Sequence, residues 1–145
     1  MGSNIGDREG HLVFAVARLA EHFKTLTVSP TIETKPVDVA GDQPDFLNGV
    51  VVGMTALSSR ELLERLLAIE RERGRQRPFP GAARTLDLDL ILFGDLIIDE
   101  PGLIVPHPRF RERRFVLEPL SQIAPEMVDP VTGQTVEELL NRMIG

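Results

Sequence analysis

Arg84-Thr85-Leu86-Asp87-Leu88-Asp89-Leu90-Ile91-Leu92 is the stretch on which the rest of the chain is read. Leucine alternates with a polar residue at the two-residue period of a strand. The spacing therefore predicts a strand over 85–92, with Leu86, Leu88 and Leu90 on one face and Asp87 and Asp89 on the other. Carboxylates at i and i+2 sit about 6.5–7 Å apart at their Cα atoms. Such a pair repels itself and is costly to desolvate unless cations take up the charge. Mg2+ suits it, because that ion is typically held by one or two carboxylates together with substrate phosphates. Two metals can share such acids while clamping phosphate oxygens. The apolar run through Ile91 and Leu92 predicts burial rather than a solvated face. Arg84, three residues before Asp87, reaches the same pocket, and acids flanked by arginine form a kit for phosphoryl transfer.

Upstream, Leu12, Val16, Leu19 and Phe23 recur at helical spacing and predict a helix over 8–24, with Asp7 as its N-cap. A strand follows over 25–34, where Pro30 implies an edge or bulge. After a loop through Pro36, Gly41, Asp42 and Pro44, a second strand covers 46–55. It places Asn48 among Phe46, Leu47, Val50 and Val51, where its amide must be satisfied by the fold or by a ligand. Ser58 and Glu61 have capping-box spacing ahead of a leucine-rich helix ending near Gly74. Downstream, Gly94-Asp95 turns the 85–92 strand into residues 96–99. Pro101, Pro106 and Pro108 punctuate a loop carrying His107, and two short helices follow at 115–122 and 136–143. Helix, strand, strand, helix, strand is most of an α+β ferredoxin-like sandwich, an antiparallel sheet with helices on both faces. Its first central strand is missing from the sequence.

The chain of 145 residues is one domain in size, without repeats or low-complexity linkers. Without cysteine it holds no disulfide, thiol nucleophile or thiolate metal site. A net charge of −6 argues against nucleic acid as a partner. Apolar runs are too short to span a membrane, and no signal sequence opens the chain, so a soluble cytoplasmic protein is expected. Arginine nevertheless gathers in two places, at Arg71, Arg73, Arg75, Arg77 and Arg84 and at Arg109, Arg111, Arg113 and Arg114. Guanidinium forks concentrated in an acidic protein fit a localised phosphate or carboxylate, although such faces are also common as solvated surface. No Gly-Lys-Ser/Thr occurs, which excludes a P-loop kinase.

An ordered set of motifs resembles the family of 6-hydroxymethyl-7,8-dihydropterin pyrophosphokinases of the folate pathway. The set is Gly2-Ser3-Asn4-Ile5-Gly6-Asp7, Glu33-Thr34-Lys35-Pro36, Gln43 to Asn48, Glu70 with Gly74-Arg75, Arg84 to Asp89, Val105-Pro106-His107-Pro108, and Arg113 to Leu120. The resemblance implies transfer of diphosphate from ATP to the pterin hydroxymethyl group, giving AMP, with ATP and 6-hydroxymethyl-7,8-dihydropterin as partners. It implies two Mg2+ ions on Asp87 and Asp89. Arg75, Arg77, Arg84, Leu90, His107 and Arg113 would contact ATP, with Arg75 and Arg84 also catalytic. Thr34, Pro36, Val37, Phe46, Asn48 and Phe115 would bind the pterin. The chain departs from the family pattern at Gly81-Ala82-Ala83, where Trp-Gly-Pro is frequent. The family also carries a hydrophobic strand before Gly-Ser-Asn, whereas this chain opens at Met1. An N-terminally truncated single domain is therefore expected, a monomer when full length. If truncated, it should be poorly soluble, strand-exchanged or inactive. The competing readings are a different Asp-x-Asp transferase and a non-catalytic ferredoxin-like module that binds a small ligand or a partner chain.

Overall fold

Gly2 sits at the centre of the sheet. It hydrogen-bonds in both directions with Asp87, at 2.9 and 2.8 Å, and it lies opposite Asn48 on its other side. The computed structural model describes residues 1–35, 45–74 and 85–144. In chain order it contains β1 (Gly2–Ser3), α1 (Arg8–Ala20), β2 (Thr25–Val28), β3 (Ile32–Thr34), β4 (Phe46–Asn48), β5 (Val51–Met54) and α2 (Ser59–Glu72). These are followed by β6 (Ile98–Glu100), β7 (Leu103–Val105), α3 (Arg114–Ile123) and α4 (Val136–Ile144). All strand pairs are antiparallel, in the orders β1-β4-β3, β2-β5 and β6-β7.

The two long strands expected over 25–34 and 46–55 are each broken into halves. Pro30 interrupts the first, as its missing N–H requires, and Gly49-Val50 interrupts the second. The breaks are stitched together by Ser29, whose N–H donates to the Val50 carbonyl while its hydroxyl accepts the Val50 N–H, both at 2.9 Å. Residues 85–92 do not form the expected strand. They meet the sheet only at Asp87, because β1, the strand beside them, is two residues long.

The helices follow the sequence closely. Asp7 caps α1 by accepting the Gly10 N–H, although the helix ends at Ala20, earlier than expected. Ser58 and Glu61 complete the capping box of α2. Two apolar layers result. Leu12, Leu19, Leu62 and Leu66 pack with Leu47, Leu86 and Leu88 on one face of the sheet. On the other face Val116, Leu117, Leu120 and Leu139 pack with Val50 and Phe110. The turn at Gly94-Asp95 does not send the chain back onto 85–92. β6 instead pairs with β7 across Pro101-Gly102, so part of the expected loop is a hairpin. Proline fixes the first turn position and Gly102, at φ +78°, takes the second, a conformation that costs a side chain dearly.

Candidate functional site

Parity along two segments builds the site. Leu86 and Leu88 are buried against α1 and α2, so Asp87 and Asp89 project to the opposite face. In β4 the same rule buries Leu47 in that core and turns Asn48 the other way. All three polar side chains line one cavity of about 1130 Å³, together with Thr34, Phe46, Leu90, Arg109, Arg113 and Phe115. The expectation that both acids are buried needs correcting. Asp87 is half-buried, but the Asp89 side chain is 43% exposed, because residues 88–92 join no ladder that would cover it.

The segment carrying the acids is held from behind. Glu70, on the last turn of α2 and 2% exposed, accepts the Leu88 N–H on Oε2 at 2.7 Å. This fixes the backbone between the two aspartates. Opposite them, Arg113 ends the short 3-10 turn Phe110–Glu112 and precedes α3. Its Nη1 stands 3.9 Å from Asp89 Oδ2, and its guanidinium lies 5.5 Å from the centre of the Phe115 ring. His107 follows a cis Val105–Pro106 bond. Its Nδ1 accepts the Arg109 N–H at 3.1 Å, which leaves Nε2 to carry the proton of the neutral ring. Burial lowers the His107 pKa. Asp89 and Asp87 oppose that shift, and Arg113 and Arg109 add to it.

In the same cavity lining, the Asn48 Nδ2 donates to Thr34 Oγ1 at 2.7 Å across β3 and β4. The amide is pinned while its remaining polar valences face the cavity. A Cβ on Gly2 would lie 3.0 Å from Asn48 Oδ1, so the glycine lets β1 approach that amide closely. Phe46 and Phe115 are half-buried and line the same cavity, a setting for a flat ring. Among the described residues no cluster of three or more acids or histidines is assembled to hold a metal. Two oxygen-bearing side chains on one face nonetheless fit Mg2+ that arrives with a polyphosphate, since phosphate and water complete its shell.

Of the residues singled out from sequence, Thr34, Phe46, Asn48, Asp87, Asp89, Leu90, Arg113 and Phe115 converge on this cavity. His107 is not among the residues lining it, but Asp89, Arg113, Arg109 and Asp87 act on its charge. Pro36, Val37, Arg75, Arg77 and Arg84 fall outside the described residues. Three contacts have a pairing that the sequence does not show, although Glu70 itself stands in the motif set. They are the Glu70 carboxylate under Leu88, the Arg73 Nε donating to His11 Nδ1 at 2.8 Å, and the Arg111 fork on Asp129. Each joins residues remote in sequence, whose partners no spacing reveals.

Fold and site together define an α+β sandwich in which paired acids, an arginine and two aromatic rings line one cavity. A family model described as 7,8-dihydro-6-hydroxymethylpterin-pyrophosphokinase matches residues 1–125, and the chain belongs to that family. A Bacillus subtilis protein called 2-amino-4-hydroxy-6-hydroxymethyldihydropteridine pyrophosphokinase is 46% identical over 140 residues, covering 95% of this chain and 83% of its own length. The Pseudomonas aeruginosa protein of the same name is 41% identical, over 97% of this chain and 86% of itself. The folic acid synthesis protein fol1 of Schizosaccharomyces pombe is 39% identical over 98% of this chain, and the chain spans 20% of that longer protein. Among the described residues no helix is long and apolar enough to cross a membrane.

Proposed function

We propose that this chain transfers the terminal diphosphate of ATP to the hydroxymethyl oxygen of 6-hydroxymethyl-7,8-dihydropterin, releasing AMP, as a step in folate biosynthesis. One observation carries the reading. A single cavity is lined by Asp87, Asp89 and Arg113 together with the Asn48–Thr34 pair, Phe46 and Phe115. That arrangement sets a polyphosphate beside a flat, hydrogen-bonding heterocycle. Membership of the family and the names of the bacterial relatives support the same chemistry.

In the reaction the pterin hydroxymethyl oxygen bonds to the β-phosphorus, and the bridge between the α- and β-phosphates breaks. The hydroxyl proton is released and AMP departs. Asp87 and Asp89 would hold two Mg2+ ions, whose charge would neutralise phosphate oxygens. Arg113 adds a cation where charge develops, and His107 donates from Nε2 to a phosphate oxygen. Asn48 reads the polar edge of the pterin, Phe115 stacks on its face and Phe46 closes the opposite side. Leu90 packs against the nucleotide. Thr34, Pro36 and Val37 line the remaining pterin edge, while Arg75, Arg77 and Arg84 complete the phosphate shell. Rate arises from alignment and charge rather than from a covalent intermediate. The protein acts as a cytoplasmic monomer in this reading.

Incubation with ATP, Mg2+ and the hydroxymethyl-dihydropterin tests it directly. The expected nucleotide product is AMP, in equal amount to pterin diphosphate. ADP would indicate ordinary kinase chemistry and overturn the proposal, and so would absence of turnover by a chain shown to be folded.

A further inference from the structure

Arg113 is the joint between two elements, and each side of the joint is fixed differently. Its carbonyl accepts the N–H groups of Val116 and Leu117, both at 3.0 Å, and α3 is then seated by Val116, Leu117 and Leu120 in the core. On the other side stands the 3-10 turn Phe110–Glu112. Within it the Glu112 N–H donates to the Arg109 carbonyl at 3.1 Å and the Arg113 N–H to the Phe110 carbonyl at 3.2 Å. Bonds of this type are poorly aligned, so the turn takes its orientation from its side chains. Phe110 is fully buried and sets the depth of the turn. Apolar burial has no direction, so it leaves the angle open.

Arg111 supplies the angle. Arg109 and Arg113 line the cavity, whereas Arg111 between them does not. It instead places Nε on Oδ2 and Nη2 on Oδ1 of Asp129, with its guanidinium 4.8 Å from the centre of the Phe110 ring. Asp129 is 0% exposed and is itself held in place. Its Oδ1 also accepts the Val131 N–H at 3.0 Å, and its Oδ2 the Thr132 hydroxyl at 2.8 Å. The carboxylate therefore cannot turn without breaking bonds on both oxygens. Its backbone closes the same loop, donating to the Gln134 carbonyl and accepting the Gly133 N–H, both at 2.8 Å. For stability alone, well-packed apolar side chains often serve as well as a buried ion pair. A bidentate fork adds what they lack, a fixed direction as well as a fixed distance.

We propose that Asp129 is a positioning residue for diphosphate transfer: through Arg111 it sets the angle of the 3-10 turn and so the placement of Arg113. The inference rests on the phosphate-facing role given to Arg113 above. Neither Asp129 nor Arg111 lines the cavity, so any effect they have on rate passes through the turn.

Arg111→Met keeps the unbranched stem and removes the fork, while Asp129 retains Val131 and Thr132. Its kcat per folded molecule should fall about 10- to 100-fold, the cost of misplacing a group by about 1 Å. The pterin KM should stay within about twofold. Asp129→Asn should act alike, and if it does not fold, Arg111→Met decides alone. In an Arg113→Ala background, Arg111→Met should lower kcat less than about twofold, whereas in Asn48→Ala it should keep its full effect. An unchanged kcat in Arg111→Met, or equal losses in both backgrounds, would overturn the proposal. One arm needs no turnover. The side-chain Nε–H resonance of Arg113, identified by its absence from Arg113→Ala, should shift and lose order on the picosecond–nanosecond scale in Arg111→Met. A resonance unchanged in both respects would overturn the proposal even where the wild type forms AMP. A wild type that forms no AMP would overturn the diphosphate-transfer reading instead, and the relaxation arm would still decide whether Asp129 places Arg113.

Discussion

Glu70 Oε2 accepts the backbone N–H of Leu88 at 2.7 Å, which places a buried carboxylate behind the Asp87–Leu88 peptide group, between the two aspartates. The contact couples α2 to the acidic segment where no ladder holds it. Its removal has two separable consequences. Glu70→Ala leaves the Leu88 N–H buried without its acceptor, at a cost of about 1–3 kcal/mol in urea unfolding. The same change lets the two aspartates drift, so turnover should fall by more than the loss of folded protein explains. Glu70→Gln keeps an acceptor oxygen and should restore most of both. Equal activity per folded molecule in wild type and Glu70→Ala would assign the contact to stability alone.

Asp87→Ala and Asp89→Ala test the acids themselves. Both side chains face the cavity rather than the core, and Asp87 contributes its sheet bridge through backbone atoms. Melting temperatures should therefore change little, and each variant is relieved of its like-charge neighbour. AMP formation should fall at least about 10³-fold, the rate equivalent of several kcal/mol of charge stabilisation. Marked unfolding of both variants would point to a structural role.

The sequence carried the helices and the face parity well, because both follow from local periodicity. Asp7 and Ser58 cap the helices their spacing implies, and Leu86 and Leu88 take the core face while Asp87 and Asp89 take the other. It failed where pairing depends on a distant partner. Residues 85–92 have the alternation of a strand but lack a ladder past Asp87, and alternation cannot report the length of a neighbour. Leu103–Val105 pairs as β7 because of the turn at Gly102, a signal overshadowed by the surrounding prolines. The site shows the same division. Asp87 and Asp89 stand out as a motif, whereas Glu70 and Asp129 act through partners 18 residues away in sequence.

Two groups give stability a dependence on pH with the same sign in separate windows. Burial lowers the His107 pKa below its ordinary 6.5, with Asp89, Asp87, Arg113 and Arg109 as its charged neighbours. Its contribution is complete above pH 6.5 and declines as the pH falls through the lowered folded-state value. Burial alone would raise the Asp129 carboxyl. The Arg111 fork, the Val131 N–H and the Thr132 hydroxyl outweigh that and hold it at about 2, against an ordinary 3.8. Asp129 therefore contributes about 2 kcal/mol above pH 3.8, lost as the pH drops through about 2. Urea unfolding across pH 2–8 should show both declines. His107→Gln should flatten only the upper one and Asp129→Asn only the lower. A profile unchanged by either substitution would refute the assignment.

Asn48 and Thr34 make a prediction about selectivity. Their 2.7 Å hydrogen bond fixes the amide against β3, so the edge it presents to the cavity is preset. Asn48→Ala should raise the pterin KM by about 10- to 100-fold, the loss of a buried polar recognition of about 1–3 kcal/mol. The ATP KM should hold within about twofold, because in this reading Asn48 contributes uniform binding to the pterin only. Parallel loss of both KM values would mean that the site collapses as a unit.

Arg113 separates rate from affinity most sharply, because it touches both ends of the chemistry unequally. Toward the pterin it offers only a cation above the Phe115 ring, 5.5 Å from its centre, a contact worth about 0.5–1 kcal/mol. Toward the phosphates it stands beside Asp89, at 3.9 Å, where charge must be neutralised as the bridge to AMP breaks. A donor aimed at developing charge is worth about 2.7–4 kcal/mol. Arg113→Ala should thus lower kcat by about 10²- to 10³-fold while raising the pterin KM less than about fivefold. Arg113→Lys keeps the charge but not the planar fork, so it should recover only part of the rate. If steady-state kinetics show the pterin KM rising steeply with kcat intact, Arg113 belongs to pterin recognition and the phosphate assignment is wrong.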